Sequence, residues 1–254
     1  MLRIRGLRVG YSGKEVLHGI DLAVELGSWT VLLGPNGSGK TTTFKTIMGQ
    51  LRPMGGEVMV DGRDCWRDSL PIKRLVGYLP EEVYCYTELT GRENLGFVGD
   101  MHEIPRRELR ERIERLTQQF ALAGDLDRAT HEYSLGMKRK LGVCMALLHN
   151  PRFLILDEPT NGLDPVAAET FRSTLTTLRK EANVTILMST HNMGMLHRYC
   201  DTLFILHEGV IRFTGKMAAV LAGHPGLSLE EFFLRTVGLE PSGEGQAEAA
   251  STSG

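Results

Sequence analysis

The residues whose spacing speaks most directly of chemistry run from Gly34 to Thr41, in the order Gly-Pro-Asn-Gly-Ser-Gly-Lys-Thr. Glycines at 34, 37 and 39 let successive backbone N–H groups turn inward around an anion with no Cβ in the way. Pro35, Asn36 and Ser38 complete the loop, and Lys40 supplies a point charge suited to β and γ phosphates. The hydroxyl of Thr41 is placed to ligate Mg²⁺, and Thr42 follows it in the first turn of a helix whose positive end faces the same anion. A second chemical signal is the acidic end of an apolar run, Phe153-Leu-Ile-Leu-Asp157-Glu158. Asp157 is suited to hold Mg²⁺ directly or through water, and Glu158 to polarise a water for in-line attack on a γ-phosphate. The two segments together predict ATP binding and hydrolysis.

Both segments need strands to hold them. Trp29 to Leu33 is an apolar strand that stops at the glycine-rich loop, and TTTFKTIMG continues it as a helix. Upstream, LRIRGLRV alternates like a half-buried strand, and VLHGIDLAVEL follows after a Ser12–Gly13 turn. Two further strands are expected at Glu57 to Val60 and Leu75 to Leu79. From about 82 to 150 the pattern turns helical. Pro105 marks a helix start, and Leu109, Ile113, Leu116 and Phe120 fall on one stripe. After Pro151 the alternation resumes with RFLILD, a helix from about Val166 to Glu181, VTILMST, a short helix, TLFILHEG and VIRFTG. This order predicts an α/β fold with a mostly parallel sheet, an N-terminal antiparallel β subdomain and an inserted helical lobe. The expected domain spans 1–240, and the Gly/Ser/Ala/Glu-rich stretch 241–254 reads as a disordered tail.

Composition removes several other classes. The 254 residues carry 29 basic and 31 acidic side chains, a net charge of −2, so no global basic field advertises nucleic acid. The arginines from Arg106 to Arg115 alternate with Glu108, Glu111 and Glu114, which predicts a solvated helix face rather than a nucleic-acid surface. Apolar runs of four or five residues fall far short of the roughly 18–20 that a spanning helix needs. The alternating N-terminus lacks the apolar block of a secretory signal, so a cytoplasmic chain is expected. Cys65, Cys85, Cys144 and Cys200 stand singly, with no paired spacing for zinc or an iron–sulfur cluster, and read as free thiols.

With these residues in hand, the sequence resembles the ATP-binding subunit of an ABC transporter over about residues 2 to 235. Ser134-Leu-Gly136-Met137-Lys138 resembles the signature of that family, in the form carried by an exporter-like branch. The resemblance implies that Ser134, Gly136 and Met137 bind the γ-phosphate of an ATP held by the opposite protomer. It implies that Tyr11 stacks on adenine, that Asn161-Gly-Leu163-Asp164 crosses the dimer interface, and that His191 contacts the γ-phosphate. Two positions depart from the usual pattern. Leu135 stands where the family has a first glycine, and Glu81 stands where a loop glutamine is usual. A carboxylate at 81 can still ligate Mg²⁺ or orient water, with added negative charge beside the triphosphate.

The resemblance further implies a homodimer or heterodimer of ATP-binding subunits, docked peripherally on the inner face of the cell membrane against a separate permease. Tyr84, Tyr86 and Leu89 suit permease contacts, and hydrophobic packing explains them equally well. No nucleic-acid partner is expected. A soluble ATPase of macromolecular assembly, such as iron–sulfur cluster assembly, is the alternative of the same size.

Overall fold

In the computed structural model, which describes residues 1–194 and 196–239, the chain opens with a long antiparallel pair. β1 (Leu2–Tyr11) and β2 (Lys14–Val24) alternate buried and wet residues, with Leu2, Ile4, Leu7 and Val9 facing inward beside Leu17, Ile20, Leu22 and Val24. β3 (Trp29–Leu33) is buried at every position and delivers the chain to the glycine-rich loop and α1 (Lys40–Ile47). β4 (Gly55–Val60) returns to pair with β1, and the two-residue β5 (Arg63–Asp64) completes an antiparallel sheet in the order β2-β1-β4-β5.

The second sheet begins after α2 (Ser69–Leu75) with β6 (Val76–Leu79). Three helices follow before the sheet resumes: α3 (Gly91–Met101), α4 (Arg106–Gln119) and α5 (Leu135–Leu147). Then come β7 (Phe153–Asp157), α6 (Pro165–Ala182), β8 (Thr185–Thr190), a 3₁₀ turn at Leu196–Arg198, β9 (Thr202–His207) and β10 (Val210–Lys216). The sheet order is β10-β9-β3-β8-β7-β6, parallel throughout except for β10. α7 (Met217–Gly223) and α8 (Leu229–Thr236) close the described chain.

The parallel strands are apolar on both faces because each face has its own core. Phe153, Ile155, Leu187, Phe204 and Leu206 join the inward residues of the antiparallel sheet and Phe44 of α1. Leu154, Leu156, Ile186, Met188, Leu203 and Ile205 join Leu109, Ile113, Leu116 and Phe120 of the helical stripe. One sheet is thus the partition between two hydrophobic layers.

Several elements differ from the sequence expectation. Leu75 ends a helix instead of opening a strand. α2 tolerates Pro71 because the first-turn N–H groups have no intrahelical partner to lose, and seven residues are too few to show a period. The short helix expected after β8 is a single 3₁₀ turn. α8 carries a readable start signal, the reciprocal Ser228–Glu231 capping box. The charges of α4 pair along its own surface, Arg107 with Glu111 at 3.3 Å and Arg112 with Glu108 at 2.5 Å. The expected tail at 241–254 lies outside the described residues.

Candidate functional site

Strand register brings the two chemical segments together. β8 lies between β3 and β7, pairing Thr190 with Leu33 on one side and Ser189 with Asp157 on the other. Because the three strands run parallel, the loop after Leu33, the carboxylates after Leu156 and the segment after Thr190 all emerge at the same edge. The Gly34 N–H donates to the Thr190 carbonyl at 3.2 Å, which pins the start of the glycine-rich loop to that edge.

Gly39 has φ +109°, a left-handed conformation, and a Cβ there would stand 2.5 Å from Leu17 Cδ2. This bend starts α1 at Lys40 and aims its first N–H groups across a cleft of about 270 Å³ lined by Asn36, Gly37, Gly39, Lys40, Thr41, Thr42, Glu81 and Glu158. Pro35 forms part of the exposed rim, whereas Gly34 and Ser38 are buried in the loop's base. The Lys40 ammonium donates to the carbonyls of Gly34 at 2.7 Å and Pro35 at 3.1 Å. It also stands 3.1 Å from Glu158 Oε1, a charge contact lacking the alignment of a hydrogen bond. The other oxygen of Glu158 is 3.1 Å from His191 Nδ1. Glu158 therefore bridges a buried cation and a half-exposed imidazole. Its backbone is held at φ +46°, a strained value for a non-glycine residue.

Asp157 is buried, and burial raises its pKa, with hydrogen bonding from Ser189 and Thr41 pulling the other way. The Ser189 hydroxyl donates to Asp157 Oδ1 at 2.6 Å and accepts from the Glu158 N–H at 2.9 Å. Among the described residues Oδ2 of Asp157 has no hydrogen-bond partner. An orphaned carboxylate oxygen beside a threonine hydroxyl and a cleft-lining Glu81 offers a small set of hard oxygen donors. That set fits Mg²⁺, which keeps water and phosphate oxygens for the rest of its shell. Among the described residues no group of three His, Cys, Asp or Glu side chains forms a protein-only metal cage.

The residues of the signature-like segment lie elsewhere. Ser134 caps α5, accepting the Met137 N–H at 3.2 Å, and Gly136 sits in the helix's first turn. Leu135 is exposed, and its Cδ2 would collide with a Cβ on Gly162. The signature segment and the Asn161–Asp164 loop thus form one surface, separate from the phosphate cleft of the same chain. Asp164 turns that loop into α6 by capping the Ala167 N–H at 2.9 Å. Tyr11 stands half-exposed at the end of β1 and does not line the cleft. Tyr84 and Tyr86 line an apolar groove of about 450 Å³ with Phe97, Met101 and Met145, whereas Leu89 does not.

Three residues of the site escape a reading of the sequence alone. Val16 lines the cleft from β2. Ser189 ties the Asp157 carboxylate to the Glu158 backbone N–H, and only the cross-strand register could have pointed to it. Arg139 is buried on α5, its Nη1 donating to the Pro80 carbonyl at 3.1 Å, and it looks in sequence like one more cation in Lys-Arg-Lys.

Comparison with known proteins agrees with this geometry. The family profile described as ABC transporter matches residues 17–161. The ABC transporter ATP-binding protein NatA of Bacillus subtilis (strain 168) is 31% identical, over 87% of this chain and 89% of that protein. The bacitracin transport ATP-binding protein BcrA of Bacillus licheniformis is 34% identical, over 78% of this chain and 64% of that one. A solved ATP-binding subunit of an ABC transporter superposes with a TM-score of 0.85 at 31% identity, over 93% of this chain and 99% of its own. The P-loop NTPase core of the cassette fold is the one described above. This chain belongs to the ABC transporter family, as one of its ATP-binding, ATP-hydrolysing subunits.

Proposed function

We propose that ATP binds with its phosphates on Gly34, Pro35, Asn36, Gly37, Ser38, Gly39, Lys40, Thr41 and Thr42, and that Tyr11 covers the adenine. The observation that carries the reading is the Lys40–Glu158–His191 chain at the mouth of the cleft, with 3.1 Å at each link. When phosphate takes over the Lys40 ammonium, Glu158 is released to accept a proton from the attacking water. His191 orients the Glu158 carboxylate and faces the transferred phosphoryl group. Thr41, Asp157 and Glu81 are the groups that would hold Mg²⁺, which when bound offsets charge on the β and γ oxygens.

A single cleft leaves the γ-phosphate open on one side. The helix N-terminus at Ser134, Gly136 and Met137 belongs to the separate surface and completes the electrostatic cage from a second protomer, either another copy or a related chain. ATP then closes the pair, and hydrolysis, by removing the bridging charge, releases it. The working unit in this reading is one cassette over 1–240 with the helical lobe at about 82–150.

The transported cargo is moved by a separate permease. Among the described residues no helix is long and apolar enough to cross a membrane. The apolar groove with exposed Tyr84, Tyr86, Phe97 and Met101 fits an amphipathic helix of such a permease, on the cytoplasmic face of the cell membrane. The bacitracin transport relative supports a transport role, and the form of the signature favours export. Transport names among the relatives favour this reading over a soluble assembly factor.

The test is affinity capture from detergent-solubilised membranes, comparing the wild type with Phe97→Asp. Stoichiometric recovery of a multi-helix membrane protein, lost in the variant while its own ATPase persists, is expected. Soluble partners alone would sink the permease assignment and leave the ATPase untouched.

A further inference from the structure

Glu81 puts a third carboxylate around a cleft that must take a triphosphate, beside Glu158 and Asp157. Among the described residues, Lys40 is the only cation lining that cleft. An extra negative charge there opposes nucleotide binding unless something offsets it.

Arg139 is placed to do so. It is 4% exposed, an unusual burial for an arginine, and its Nη1 reaches the carbonyl of Pro80, the residue before Glu81, at 3.1 Å. Burial pulls the Arg139 pKa below the usual arginine value, and the charges of Glu81, Asp157 and Glu158 act in the opposite direction. Its Nε is buried with no hydrogen-bond partner among the described residues, so these leave part of the fork unused. Arg139 also stands five residues after Ser134, on the helix that presents the signature segment. The Pro80–Glu81 turn in turn leads into the groove at Tyr84 and Tyr86.

We propose that Arg139 is a positioning residue that makes a carboxylate workable at position 81. It offsets the added charge over the phosphate cleft and ties the signature helix to the loop entering the groove. A charge change at the nucleotide is thereby passed to two interaction surfaces through one buried guanidinium. A residue held only for packing would show no dependence on the identity of residue 81.

This rests on the nucleotide site proposed above, and Lys40→Ala is the control that tests that site by itself. The measurement is the equilibrium affinity for a fluorescent ATP analogue, with Mg²⁺ and with EDTA, in four proteins: wild type, Glu81→Gln, Arg139→Gln and the double variant. Arg139→Gln is expected to weaken binding about tenfold when Glu81 is present and about threefold or less in the Glu81→Gln background, the loss being greater in EDTA. An equal loss in both backgrounds, or none with Glu81 present, overturns the proposal. If Arg139→Gln does not fold, Arg139→Lys replaces it: retention of charge keeps affinity within about threefold, and a loss of about tenfold overturns the charge role. Unchanged binding in Lys40→Ala would instead refute the site itself.

Discussion

Lys40 Nζ and Glu158 Oε1 lie 3.1 Å apart with both side chains almost wholly out of solvent. The cation proposed to bind phosphate and the carboxylate proposed to activate water thus neutralise each other within the fold. In the proposed mechanism phosphate oxygens compete with Glu158 for Lys40, so binding of substrate and release of the base would be one event. The buried ion pair also fixes what each removal costs, because either partner left alone is an uncompensated buried charge.

Lys40→Ala should therefore lose nucleotide binding and also destabilise the fold by about 3 kcal/mol. Adding Glu158→Gln should recover part of the stability and none of the binding. Urea unfolding of the single and double variants checks this; identical midpoints for the two would show that the pair carries no such energy.

Gly39→Ala places a side chain at φ +109° and within 2.5 Å of Leu17 Cδ2. The bend that starts α1 must then shift, at about 1–3 kcal/mol. Nucleotide affinity should fall with it, by about a hundredfold on the same energy scale. Isothermal titration with Mg-ATP reads the effect, and wild-type affinity would mean that the bend does not shape the cradle.

Much of this site is legible in the sequence because phosphate chemistry is local: the loop, Lys40 and Thr41 are contiguous, and so are Asp157 and Glu158. The strands that hold them read clearly too, since a parallel sheet covered on both faces leaves continuous apolar runs such as Phe153 to Leu156. What stays hidden depends on contacts between distant segments. Ser189 gains its role only when β8 is set beside β7, and Arg139 gains its own only when α5 covers the turn after β6. The pairing of β1 with β4 spans some fifty residues of chain and has no local mark.

Away from the cleft, His149 offers a pH test of the fold. Burial, together with neighbouring His102 stacked at 4.1 Å, lowers its pKa to about 4. The unfolded imidazole titrates near 6.5, so the folded state resists a proton that the unfolded chain accepts. Full stability is present above about pH 6.5 and is lost progressively as pH falls towards 4. His149→Gln should remove about 2 kcal/mol of the wild type's stability difference between pH 7 and pH 4.5, after allowance for partial exposure. Denaturant midpoints at the two pH values decide it, and equal slopes for both proteins would count against a buried neutral His149.

In the proposed mechanism two incomplete sites, the Lys40–Glu158 cleft and the Ser134 helix end, meet across a dimer only when ATP is present. Glu158→Gln isolates that step, since it keeps the cleft and removes the base, cutting hydrolysis about a hundredfold or more. The decisive measurement is the mass of this variant by light scattering, with and without Mg-ATP. A doubling of mass on adding Mg-ATP is expected, reversed when Ser134→Arg is added to the same chain. A variant that binds Mg-ATP yet keeps a single-protomer mass, or a dimer indifferent to Ser134→Arg, would contradict it.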